Sequence, residues 1–81
     1  MKLTKAEAKA LGGDCFYWSA VTGITWANPP GRDSFRVRND VFDRLHMRDL
    51  VKTVEVTGNV HWYVVTDAGR AALASANEGN G

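Results

Sequence analysis

Disulfide chemistry is almost missing from this sequence. Cys15 is the only cysteine among 81 residues, so no internal bridge can form. A lone thiol fits a reducing compartment, and a cytoplasmic location is the expectation. A disulfide-linked pair of chains through Cys15 stays open. Long apolar runs are missing as well: no stretch approaches the roughly 18 residues that span a bilayer. The segment from Met1 to Leu11 has no apolar centre behind its lysines, so it does not read as a secretory leader. No membrane partner is expected. Charge of one sign is also scarce, with ten basic and nine acidic residues and a formal +1. A protein that holds nucleic acid by bulk charge is usually more basic than that. No internal repeat is visible, which argues against a solenoid. Catalytic patterns are absent too. No Cys or His pair has metal-ligand spacing. Gly12-Gly13 is not followed by the Lys-Ser/Thr of a phosphate loop, and His46 and His61 have no nucleophile at a recognisable spacing. The expectation is a protein that is not an enzyme, with no catalytic residue, metal or cofactor.

What remains is one small domain with ordinary globular composition, 44% hydrophobic and 23% charged. A domain of this size buries roughly 60–65% of its unfolded surface, a thin margin. With no disulfide to help, the eight aromatic residues must supply much of the core.

Thr4 and Glu7 have the spacing of a capping box at the start of a helix over 4–11, which Gly12-Gly13 stops. Residues 14–27 read either as a short helix capped by Asp14 or as a hairpin. The aromatic and β-branched content of Cys15–Val21 and the turn signal Thr22-Gly23 favour the hairpin. Asn28-Pro29-Pro30-Gly31 breaks any regular element and reads as an exposed loop. Residues 34–38 alternate apolar and basic, as in a short extended segment. Asn39 is then placed to cap a helix through Arg48, with Val41, Phe42 and Leu45 on its buried face. A competing parse starts that helix at Ser34. Residues 50–57 and 60–65 read as two strands joined by Gly58-Asn59 in a type II′ turn. Thr66 caps a last helix to about residue 74, and 75–81 reads as a flexible tail behind a domain of residues 1–74.

Two phrases carry a family resemblance. Phe42-Asp43-Arg44-Leu45-His46-Met47-Arg48-Asp49-Leu50-Val51 resembles the end of the recognition helix in winged helix–turn–helix domains. Trp62-Tyr63-Val64-Val65-Thr66-Asp67-Ala68-Gly69-Arg70-Ala71-Ala72-Leu73 is similar to the second wing strand and final helix of that family. Asp49 stands where the family usually has glycine; aspartate is a good second choice for a left-handed cap. The family also has a bracing helix before the reader, and here that place holds Trp26–Asp33 with two prolines. The resemblance therefore implies a degenerate winged helix whose second helix is shortened or replaced. The expected fold is a small winged-helix-like α+β domain: helix, short hairpin or loop, helix, two-stranded wing hairpin, C-terminal helix.

Residues 32–52 hold six cations against four carboxylates, a local +2, while the rest of the chain is at −1. Arginine suits phosphate and guanine edges because its guanidinium is planar and bidentate. One reading is therefore a small DNA-binding transcriptional regulator of phage or mobile-element type, working as a homodimer on double-stranded DNA. It would use helix 39–49 and wing 50–65, with Arg36, Arg38, Asn39, Arg44, Arg48, Lys52 and Asn59 as contacts. The plain alternative for these charges is a solvated face with local ion pairs, such as Asp40 with Arg44. A second functional reading is a protein-interaction module on a winged-helix frame that has lost DNA binding, with Trp26, Pro29, Pro30 and Arg32 as its contact loop. Phe16, Tyr17, Trp18 and Trp26 raise a third possibility, a stacking platform for single-stranded nucleic acid. A small domain's need for large core residues outweighs it.

Overall fold

The computed structural model describes residues 3–79. Among these residues three helices and five strands follow one another as α1 (Lys5–Leu11), β1 (Cys15–Ser19), β2 (Thr25–Ala27), β3 (Phe35–Val37), α2 (Asn39–Met47), β4 (Val51–Thr57), β5 (Val60–Val65) and α3 (Asp67–Gly79). All five strands join one sheet in the order β3-β2-β1-β5-β4, and every neighbouring pair is antiparallel.

This order corrects the winged-helix layout. Between α1 and α2 the expected hairpin forms as β1 and β2, but β3 joins it as a third strand, so no remnant of a bracing helix stands before α2. The two-stranded wing is no separate hairpin either, because β5 pairs along its length with β1, placing Tyr17 opposite Trp62 and Cys15 opposite Val64. The physical reason is the alternation in the aromatic segment. Phe16 is fully buried, and extended backbone can present it to the helices while Tyr17 points to the opposite face. The parse that starts the second helix at Ser34 also falls, since Phe35–Val37 is a strand. The last helix continues to Gly79, past the end expected for it at about residue 74. Gly81 and Asn80 lie outside the described residues.

Local signals are realised at the start of α1, the end of α2 and the start of α3. The Thr4 hydroxyl accepts from the Glu7 amide, and the Glu7 carboxylate accepts from the Thr4 amide at 2.8 Å. Helix α2 ends in a Schellman arrangement. Leu50 N–H donates to the Leu45 carbonyl, Asp49 N–H donates to the His46 carbonyl, and Asp49 takes φ 59°. Thr66 caps α3 by accepting from Gly69 N–H at 3.0 Å and donates its own hydroxyl proton to the Asp49 carbonyl at 2.6 Å. At the β4–β5 turn Gly58 has φ 58°, as the first position of a type II′ turn requires.

The helices lie on one side of the sheet. Their buried residues (Ala10, Leu11, Val41, Phe42, Leu45) meet Phe16, Ala27, Val37, Val51 and Val65 from the strands. Phe16 and Phe42 pack at 5.4 Å between ring centroids, and Tyr63 extends the cluster at 4.9 Å from Phe42. Both sheet edges are blunted against further strand addition. Strand β3 is three residues long, and β4 carries a register shift between Thr53 and Glu55.

Candidate functional site

The expected DNA contacts do not form one surface. Arg44 and Arg48 lean on Glu7 of α1, with Arg44 Nε 3.3 Å and Arg48 Nη1 3.4 Å from the same carboxylate oxygen. The Glu7 side chain is 2% exposed, so these arginines neutralise a buried charge. The Thr4 amide bond, assisted by both arginines, holds the Glu7 carboxyl below the ordinary glutamate value near 4.5, against the opposing effect of burial. Arg38 pairs with Asp40 at 3.2 Å. Arg38 also occupies the N-cap position expected for Asn39. Asn39 instead pins α2 to β2: its side-chain amide donates to the Gly23 carbonyl at 2.6 Å, and its oxygen accepts from the buried Thr25 hydroxyl at 3.0 Å. Asn59 sits in the β4–β5 turn, where its carbonyl accepts from Ala20 N–H. Arg36 and Lys52 lie on the other side of the sheet.

The proposed contact loop divides in the same way. Pro29 is buried and Pro30 exposed. Arg32 donates to the Gly12 carbonyl at 3.1 Å, tying the loop to the end of α1. Trp26 belongs to β2 and faces away from the helices.

Two predictions follow from these roles. Glu7→Gln should cost about 1 kcal/mol at neutral pH, since it removes two half-exposed ion pairs and weakens a charge-assisted bond. A depressed carboxyl pKa contributes stability that is present above the ordinary value and lost as pH falls through the folded value. The melting temperature of the native chain should therefore fall more steeply below about pH 4.5 than that of Glu7→Gln. Asn39→Ala strands the buried Thr25 hydroxyl and should cost about 2 kcal/mol by chemical denaturation. Thr25→Val/Asn39→Ala together should recover part of that loss.

Large aromatic side chains converge on the sheet face opposite the helices. Cross-strand partners in an antiparallel sheet share a face, so the register defines a row. Arg36 of β3 stands opposite Trp26 of β2, Trp26 opposite Tyr17 of β1, Tyr17 opposite Trp62 of β5, and Trp62 opposite Glu55 of β4. Three large aromatics thus lie side by side across the centre, with a cation at one end and a carboxylate at the other. Tyr17 and Trp62 pack at 5.2 Å, tilted by 44°. Trp62 is 36% exposed, while Trp26 and Tyr17 are half-buried. The next row runs Lys52–Val64–Cys15, and Asn28 continues it by donating its amide to the Cys15 carbonyl. Among the described residues, no helix covers this face.

Sequence reasoning found Trp26 but gave Trp62 no role and left Tyr17 to the core. A signal was present. A half-solvated antiparallel strand alternates apolar with polar, yet β1 and β5 carry large apolar residues in both phases. Phe16 and Trp18 alternate with Tyr17, and Tyr63 and Val65 with Trp62 and Val64. Both phases of these strands therefore carry apolar surface, and the helices take up one of them.

A concavity of about 370 Å³ opens on the helix side between α2 and the sheet. His46 and His61 line it together with Asp43, but both imidazoles pack against rings, His46 on Tyr63 at 5.6 Å and His61 on Trp18 at 5.2 Å. Among the described residues, no three His, Cys, Asp or Glu side chains are grouped to hold a metal ion. No helix among them is long and apolar enough to cross a membrane. No protein-family model, curated protein or solved structure matches the chain.

Proposed function

We propose that this chain is a protein-interaction module whose working surface is the helix-free face of its sheet. The row Trp26–Tyr17–Trp62 across three adjacent strands carries this reading. Tryptophan and tyrosine are the residues most enriched at the centres of protein interfaces, where they bury much area at low entropic cost. The flanking Arg36, Lys52 and Glu55 supply the polar rim such interfaces have.

The double-stranded DNA reading draws less support. The exposed side of α2 carries Asp40 and Asp43, and its arginines 44 and 48 are engaged by Glu7. A stacking platform for single strands also fits less well. Rings packed 5.2 Å apart leave no slot for a base between them, and the face offers two cations against one carboxylate, little to follow a phosphate backbone.

Site-specific photo-crosslinking tests the proposal. A benzophenone amino acid placed at Arg36 or Lys52, on the rim of the face, should give protein adducts in cells. The same group at Met47, which is 84% exposed on α2, should give none. Adducts from position 47 alone would overturn the reading.

A further inference from the structure

We infer that the partner seated on this face is a second copy of the chain, packed sheet against sheet about a two-fold axis that runs along β1. This inference rests on the interaction reading above and adds the identity of the partner. It follows from the order of the central row. Arg36, Trp26, Tyr17, Trp62 and Glu55 occupy successive strands, so Tyr17 is the midpoint and the ends carry opposite charge. Strands lie about 4.8 Å apart, which puts the two charged ends roughly 19 Å from one another, too far to neutralise each other within one chain.

A two-fold axis in the interface plane, parallel to β1, inverts the row. Arg36 of each copy then meets Glu55 of the other, Trp26 meets Trp62, and Tyr17 meets itself. An isologous interface needs this self-complementarity. The perpendicular choice, an axis across the strands, sets Arg36 against Arg36 and Glu55 against Glu55 and is repulsive. The permitted axis also keeps the strands of both sheets aligned, as packed antiparallel sheets prefer. The blunted edge strands β3 and β4 oppose the competing edge-to-edge pairing. Sheet packing also covers the second apolar phase of β1 and β5, which the helices do not reach. A five-strand face is at the small end of stable interfaces, so the expected dimer is a micromolar one.

The lone cysteine offers an independent readout. Cys15 is on β1 and on this face, so the axis brings it opposite its own copy. Packed sheets stand about 10 Å apart, which is too far for a direct disulfide and within reach of a bis-maleimide.

Sedimentation equilibrium of the full chain from about 10 µM to about 1 mM, bracketing a small interface, should show monomers giving way to dimers. Arg36→Glu should weaken the dimer about tenfold or more, because like charges then meet twice, and Arg36→Glu/Glu55→Arg should restore it. A bis-maleimide should link chains through Cys15 in the native protein and in the charge swap, and not in Arg36→Glu. Two results overturn the inference: a monomer throughout the range, or a dimer indifferent to Arg36→Glu that yields no Cys15 link. A monomer whose Arg36 or Lys52 positions still crosslink to another protein removes the second copy and leaves the interaction reading standing. A monomer with no adduct at either position, and one whose tryptophan emission is quenched by an oligothymidylate at low salt, each remove both.

Discussion

Gly69→Ala should destabilise the domain by about 3 kcal/mol, enough to lower the melting temperature of a chain this size by about 12 °C or more. Gly69 sits in the first turn of α3, where the helix crosses the start of β4. A β-carbon there would collide with the Leu50 carbonyl oxygen and come within 2.7 Å of Val65 Cγ1. That carbonyl accepts the Thr66 amide at 3.0 Å and so cannot swing aside without releasing the entry to α3. Nothing near it is the far end of a flexible side chain, so the helix itself must lift. Gly23→Ala is the control. Gly23 has φ 70° but nothing within 4 Å of an added methyl, so only the backbone preference is lost, about 1 kcal/mol. Thermal unfolding followed by far-ultraviolet dichroism measures both. Equal, small losses would mean that α3 does not seat on β4 through Gly69.

The second large effect is on binding rather than folding. Trp26→Ser and Trp62→Ser should each weaken partner binding by about 30-fold or more, the loss typical of a central aromatic anchor. Their cost to the monomer should stay near 1 kcal/mol each, since each removes cross-strand contacts from a half-exposed face and opens no core cavity. Phe16→Ala gives the opposite balance. Phe16 is 0% exposed and packs on Phe42, and its loss should cost about 4 kcal/mol of stability. A monomer whose binding is untouched by both tryptophan substitutions would leave the face without a function.

Much of the fold was legible wherever the determining contacts are close in sequence. Thr4 with Glu7, Asp49 at the end of α2, Thr66 with Gly69, and Gly58 in the tight turn are all short-range devices, and each stands where its residues placed it. The layout was not legible, because the pairing of β1 with β5 joins residues more than forty positions apart. Local alternation names a strand and leaves its neighbour open. Two familiar phrases around α2 and the last hairpin then suggested a winged helix, although Leu45, Leu50, Thr66 and Gly69 only close one helix onto one sheet edge. Any domain with that junction can share them. The arginines misled for a related reason. Arg44 and Arg48 have the spacing of an exposed basic face, but their carboxylate partner is Glu7, 37 and 41 residues earlier. Charge counting within a window does not register it. The aromatic face was half legible: Trp26 stood out, while Tyr17 and Trp62 gained meaning once the register placed them in one row.

The chain carries its own reporters of which face is occupied. Its three tryptophan indoles divide between the two sides, Trp18 in the helix-side cleft and Trp26 and Trp62 on the helix-free face. A proton–nitrogen correlation spectrum of the labelled protein resolves the three indole N–H signals, and concentration or added partner can be raised while they are followed. The Trp26 and Trp62 signals should move together while Trp18 stays fixed. Movement of Trp18 with Trp26 and Trp62 stationary would place the working surface on the helix side and contradict the account.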